Sequence, residues 1–448
     1  MSKVGKGNYM LDTDNNIWAV LNSEGEKALA ALVTAGADQA VVSLHKSIMT
    51  ELNVDFGKPS LYRTVFGDEA RLTAIVDGKK GVITTNQISE TGLKEAAKDC
   101  LTAAAAAQPD KAWQLAPSLG KVEFEPEGSA LDEDKMFLRC QELLTQISDQ
   151  FPLIMIEQMV VSHVDVKSLK LFSSGTRFQR TSGYYVFYLI FNAQDGEKTS
   201  SFNVSFFQLD NLDQPLLEYG NLRDNLAFTE RQIETKPLAE QFTGTVLMAP
   251  SPATNLLGMA FDNFVSDTAI MNKTSIWLDK LESRVADEKL TVRIAPLDSK
   301  IIADERITAE GYLSEDYTLI DKGVLKSFML SDYAARKSGQ DRAGNGSEAM
   351  VIAGGTTPLA ELIAGIEKGV FLWRFSGGQP SINGDFSGVA KNSFLIENGK
   401  ITTALRETML SGNIDKMLRE IRGISAETVS TGNYSAPYIA VDGIIISG

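Results

Sequence analysis

Two histidines, His45 and His163, and two cysteines, Cys100 and Cys140, are all the imidazoles and thiols in 448 residues. That stock excludes a histidine-rich zinc site and two independent nucleophile–histidine–acid triads. His45 lies in Val41-Val42-Ser43-Leu44-His45-Lys46 and His163 in Val160-Val161-Ser162-His163-Val164-Asp165. Both read as strand residues at a surface or interface rather than as bases. The cysteines fall in helical patterns, 91–107 and 132–150. They read as small core residues in a reducing compartment, with a single disulfide as the alternative. The acidic pairs Asp304-Glu305 and Glu315-Asp316 could act as acid and base. Neighbours on a strand point to opposite faces, however, so these carboxylates read as solvated. Ala343-Gly344-Asn345-Gly346 and Ala353-Gly354-Gly355 lack the strand–helix frame of a phosphate loop.

The segment richest in signal runs from Gly377-Gly378-Gln379 through Asn383-Gly384-Asp385-Phe386-Ser387 to Ile396-Glu397-Asn398-Gly399. Its glycines are spaced like paired strands with tight corners, where φ is positive or another backbone comes close. Gly377, Gly378, Asn383, Gly384, Asp385 and Phe386 form a candidate peptide-binding or cavity set. A peptide backbone could approach the glycines, and Asp385 could grip an amide or position a loop. The alternative is that the glycines satisfy turns and Asp385 caps one.

The elements that would carry these residues follow from periodicity. A helix over 24–33 stops at Gly36, and strands follow at 39–46, 49–55, 61–65 and 71–76. Asp77-Gly78-Lys79-Lys80-Gly81 turns a hairpin into 82–85, and an alanine-rich helix covers 91–107. Residues 116–134 read as a linker, 132–150 as a helix, and 153–166, 178–192 and 200–209 as strands. A helix over 221–240 closes this half. A strand at 243–248 then leads into a helix at 255–265 capped by Ser251 or Thr254. Strands at 290–294, 308–313, 325–330, 399–404 and 438–446 and short helices at 359–365 and 415–421 complete the chain. The order is α+β rather than alternating βα units. It divides into an α+β domain over 1–236, with a sub-boundary near 116–131, and a β-rich domain over 237–448. Trp18, Trp113, Trp277 and Trp373, and Phe202, Phe206 and Phe207, read as packing residues.

Composition narrows the class. A formal charge of −15 lacks the basic footprint of nucleic-acid binding. Residues 1–6 are not followed by an apolar stretch, so no leader is expected, and no apolar run approaches a membrane span. A soluble cytoplasmic protein is the expectation.

Together, the segment at 377–399, Ser173-Ser174-Gly175-Thr176 and the strand and proline-led helix entry at 247–257 resemble the TldD/PmbA family, also described as modulators of DNA gyrase. The TldD-like branch of that family carries His-Glu-x-x-x-His on the first helix of its C-terminal domain and a late cysteine as a further zinc ligand. Two imidazoles about a turn apart can share one ion, with the glutamate as base for a zinc-bound water. The matching positions here are Gly258, Met259, Asn263 and Thr431. None supplies the imidazole, carboxylate or thiolate of the motif. The resemblance therefore implies the PmbA (TldE) branch. That means no catalytic residue and no cofactor in this chain, with zinc in a TldD-like partner. The implied role is a non-catalytic subunit of a cytoplasmic peptidase complex acting on unfolded or flexible peptides. A homodimeric peptide-binding adaptor, or a peptidase using a non-zinc site, is the alternative. The implied fold pairs an α+β N-terminal domain with a strand-rich C-terminal one. From this placement, His, Glu, His and Cys at 258, 259, 263 and 431 should create zinc affinity; if those side chains do not converge in the structure, the placement is wrong.

Overall fold

The computed structural model describes residues 14–302 and 304–448, so the reading of residues 1–6 lies outside it. The chain is α+β and forms two compact units. Among the described residues, unit 1 comprises 14–49, 65–127 and 165–182, and unit 2 comprises 50–64, 128–164, 183–302 and 304–448. The expected boundary at 236/237 falls inside unit 2. There Trp373 Nε1 donates to Asn225, Gln232 donates to the Ser393 carbonyl, and Lys236–Pro237 pairs with Leu405 and Arg406. These bonds tie 183–236 to the strands of the C-terminal half.

In unit 1, helices Asp14–Thr34 and Glu90–Ala106 cover strands built on Val42, Leu44, Leu72, Leu169 and Leu171. Ser89 caps the second helix by accepting from the Gly92 amide at 3.3 Å. That helix lies directly on the strand Lys79–Thr85 at Gly81. A Cβ at Gly81 would collide with the backbone of Cys100 and Ala104, which cannot swing aside. Gly81→Ala is therefore expected to cost about 1–3 kcal/mol or more, read as a lowered urea midpoint. Strand pairs expected as separate pieces are continuous, Gln39–Asp55 and Lys58–Val76. Burial drops at the polar centre of the first strand and over the first half of the second, yet the extended backbone continues through both.

His45 is half-buried with Nδ1 2.8 Å from Ser168 Oγ, and desolvation lowers its pKa. His163, in unit 2, is 1% exposed, with Nε2 2.8 Å from the Ser129 carbonyl and its ring edge-on to Tyr185. Half-buried His45 is compatible with the surface or interface position expected, whereas His163 is not a surface residue, because its strand is covered there and its neighbours Val161 and Ser162 are buried too. Both cysteines are free and buried. Burial pushes the Cys100 thiol up to about 11 and the Cys140 thiol to about 12.

The N-terminal part of unit 2 packs helix Glu133–Gln150, capped by Asp132, through Met136, Cys140, Leu143 and Ile147. Phe187 stacks on Phe207 at 5.8 Å in the same core. Phe202 and Phe206 are exposed, contrary to expectation, since the Phe206 side of strand Asn203–Leu209 faces outward. The helix expected over 221–240 covers only Leu222–Glu230. Pro237 disfavours helix before it, and Lys236–Pro237 joins the sheet instead. The remainder is a sheet of fourteen strands among the described residues. At its centre, Phe242–Met248 runs antiparallel to Ser435–Ser447 and parallel to Lys368–Leu372. The strand expected at 308–313 is a single bridge, Ile307 to Leu313, around Gly311 at φ 105°, and that at 325–330 reduces to Val324–Leu325. Among the described residues, no helix is long and apolar enough to cross a membrane.

Candidate functional site

Helix Pro250–Phe264 follows the central strand directly. Its buried face carries Ala253, Leu256, Leu257, Ala260 and Phe264, which join the core with Val246, Met248, Ile439 and Val441. The expected caps Ser251 and Thr254 lie inside the first turn, because Ala249 is the N-cap and Pro250 opens the helix. Proline at that point has no N–H needing a cap. Thr254 Oγ1 instead donates back to the Pro250 carbonyl at 3.0 Å.

The opposite face bears Ser251, Thr254, Asn255, Gly258 and Asp262, spaced at three, four, seven and eleven residues. This polar stripe forms one wall of a cleft of about 800 Å³. The other walls come from Gln208, Ile301, Asp304, Ser347 and the turn Gly432-Asn433-Tyr434. Asp262, Asp304 and Glu348 are the charged residues of the lining. Partial burial raises the Asp262 carboxyl above its ordinary pKa. Burial pushes the Tyr434 phenol up to about 12, against a hydrogen bond with Ser251. Such a chamber suits an extended polar chain better than a compact apolar ligand.

The four motif positions divide between the cleft and its surroundings. Gly258 opens on the cleft, and a Cβ there would meet nothing within 4 Å. Met259 is turned toward the core and packs against it. Asn263 Nδ2 donates to the Pro380 carbonyl at 3.1 Å. Thr431 is buried beside a second cavity, and its hydroxyl accepts from the Asn433 amide at 3.4 Å. The four therefore do not share one lining, and the convergence that the motif placement requires is not seen. As a donor set they do not fit zinc: one has no ligand atom, one is a thioether packed in apolar surroundings, and two are already hydrogen-bonded. Among the described residues, no three His, Cys, Asp or Glu side chains are grouped to hold a metal ion.

The glycine-rich segment takes a supporting position. Gly377, Gly378 and Gly384 have φ of 80°, 75° and 88°, which turns the chain at each. Gly377 pairs with Gly388, and Phe375 occupies the space a Cβ on Gly378 or Gly388 would need. Asn413 Nδ2 donates to the Asn383 carbonyl and to Asp385 Oδ1, both at 2.8 Å. Phe386 is buried against Phe375. None of the six candidate residues lines the cleft. Through Pro380 the segment holds Asn263, and through Asp385 it holds Asn413, the cap of helix Ile414–Arg419.

The acidic pairs are also committed, and neither lies on a strand as expected for Asp304-Glu305. Ser347 Oγ donates to Asp304 at 2.6 Å, and the Gly346 amide donates to Glu305 at 2.9 Å. Arg293 pairs with Asp316 at 2.9 Å. Sequence reasoning did not pick out Gln208, Asn255, Asp262 and Ser347. The helix stripe carried a usable signal, small polar residues at helical spacing along an otherwise apolar segment.

A family model described as the PmbA/TldA metallopeptidase C-terminal domain matches residues 242–448. The metalloprotease PmbA of Escherichia coli O157:H7 is 26% identical over 206 residues, which span 45% of this chain and 45% of that protein. The chain thus spans less than half the length of this curated relative. The structure of TldE from Thermococcus kodakarensis superposes with a TM-score of 0.81 at 18% identity, covering 96% of this chain and 100% of that one. A candidate modulator of DNA gyrase from Bacteroides thetaiotaomicron gives 0.84 at 23% identity, covering 98% and 100%. At such identities these structures establish a common fold.

Proposed function

The chain belongs to the TldD/PmbA family, and from that premise we propose that it is the non-catalytic, TldE/PmbA-like subunit of a cytoplasmic metallopeptidase complex acting on unfolded or flexible peptides. The observation that carries this reading is the face of helix Pro250–Phe264. It keeps an open, polar cleft, while the positions matching the zinc motif hold a glycine, a core-packed methionine and two hydrogen-bonded side chains. A hydrolytic zinc site needs deprotonated or imidazole donors with one open position, and these residues supply none. The cleft can still bind and orient a peptide for a partner's zinc. A subunit that contributes binding alone raises turnover by positioning the substrate.

The test combines this purified chain with a His-Glu-x-x-x-His relative from the same source and follows cleavage of an unstructured peptide. This chain alone should give no turnover, and the mixture should exceed the relative alone by tenfold or more. Turnover by the lone, metal-free chain would assign it a site of its own. Recovery of a peptide-binding homodimer that leaves the relative's rate unchanged would make it an adaptor.

A further inference from the structure

The cleft continues past Ser251. A second cavity of about 260 Å³ shares Ser251, Asn433 and Tyr434 with it, so the two form one trough. The floor of the second cavity is rigid. Asn225 Oδ1 accepts from Trp373 Nε1 at 2.6 Å and from Asn203 at 2.5 Å, while Asn225 Nδ2 donates to Ser205 at 2.8 Å. Every polar group of Asn225 is thereby occupied. The one cationic side chain in this lining is Arg374. Its guanidinium lies over the Phe202 ring at 4.4 Å, and Nη1 donates to the Phe202 carbonyl at 3.2 Å. That bond uses one of five N–H donors. Among the described residues, the contacts of the Arg374 guanidinium are to the Phe202 carbonyl and ring and none is to a carboxylate, although the chain carries a formal charge of −15. Partial burial disfavours its charge. A partly buried guanidinium with donors to spare on a cavity wall is matched by an anion, best by a planar carboxylate.

The opposite end has the reverse polarity, since Asp262, Asp304 and Glu348 line the larger cavity. Ser251 and Asp262 stand on one helix, roughly 16 Å apart at about 1.5 Å per residue. An extended chain advances about 3.3 Å per residue, so roughly five residues bridge that distance. We infer that the trough binds an extended peptide of at least about five residues with its carboxylate on Arg374, the C-terminal one, and its N-terminal portion toward Asp262 and Asp304. This rests on the peptide reading above and adds direction and end-group to it. Arg374 is a binding residue in this arrangement, and the fixed polarity would set which bond is presented to a partner.

The test uses labelled hexapeptides of one sequence in three forms: free C-terminal acid, C-terminal amide, and amide with glutamate as the last residue. Affinities are measured by fluorescence anisotropy for the native chain, Arg374→Gln and Arg374→Lys. The native chain should bind the acid about tenfold more tightly than the amide. Arg374→Gln should bind acid and amide alike. Arg374→Lys, which keeps the charge, should retain part of the preference and guards against a folding defect in the glutamine variant. Full recovery of affinity by the glutamate amide would overturn the C-terminal assignment in favour of a side-chain carboxylate on Arg374. Equal binding of acid and amide to the native chain would overturn the carboxylate site itself. Absence of all peptide binding would do so too, while the mixing experiment would still decide the subunit reading independently.

Discussion

Gly258→Trp is expected to weaken peptide binding at least tenfold while leaving the fold as stable as before. The position is inside a helix, and a Cβ there meets open space. Glycine in a helix interior costs about 0.5–1 kcal/mol relative to alanine, and tryptophan, a poorer helix former than alanine, recovers only part of that difference. An indole brings a large rigid surface into a chamber of about 800 Å³, beside Asn255 and Asp262. Gly258→Ala is the matched control. It should gain about 0.5–1 kcal/mol of stability and bind peptide normally. Anisotropy titrations with an unstructured peptide, alongside urea melts of both variants, make the comparison. If the tryptophan variant is stable and binds peptide unchanged, the cleft is not the peptide site.

The second large effect concerns the support beneath the cleft. Trp277 is 1% exposed, lies 4.8 Å from the ring of Phe264 at the end of the cleft helix, and donates from Nε1 to Asp415 at 2.7 Å. Trp277→Ala should cost about 3–5 kcal/mol, since it removes a large buried side chain and leaves a cavity. Asp415 would then retain only its bonds to Arg419. Trp277→Phe keeps most of the packing and should cost about 1–2 kcal/mol, mainly the lost charge-assisted hydrogen bond. Urea midpoints with an unchanged slope would measure both. Near-equal costs for the two variants would mean that the indole N–H, rather than the ring, carries the stability.

Much of the architecture is legible in the chain itself. The α+β order, the helices carrying Cys100 and Cys140, and the strand expected at 243–248 follow from period and breakers, whereas the helix expected at 255–265 begins earlier, at Pro250. These signals are local, because dihedral preference and side-chain periodicity act over a few residues. Where a distant partner decides, local reading failed. Pro237 and its pairing with strand Lys400–Arg406 ended the helix expected to run to residue 240. Burial of His163 beneath Tyr185 likewise depends on which strand face the core claims.

For the site the division is sharper. The sequence by itself determined what chemistry the chain can hold: two histidines, His45 and His163, and two cysteines, Cys100 and Cys140, are all its imidazoles and thiols. Absence of an atom type needs no geometry to establish. Only the tertiary structure decided the rest. It turned Gly258 and Asp262 toward a cleft, took the glycine-rich segment away from that cleft to hold Asn263 and Asn413, and, among the described residues, set Arg374 at the far end of the trough with no carboxylate against it. A cavity and the pairing of its charges are sums over residues more than 100 positions apart, such as Phe202 and Arg374. Whether a side chain is matched or unmatched is a property of what folds against it, and no spacing along the chain encodes that.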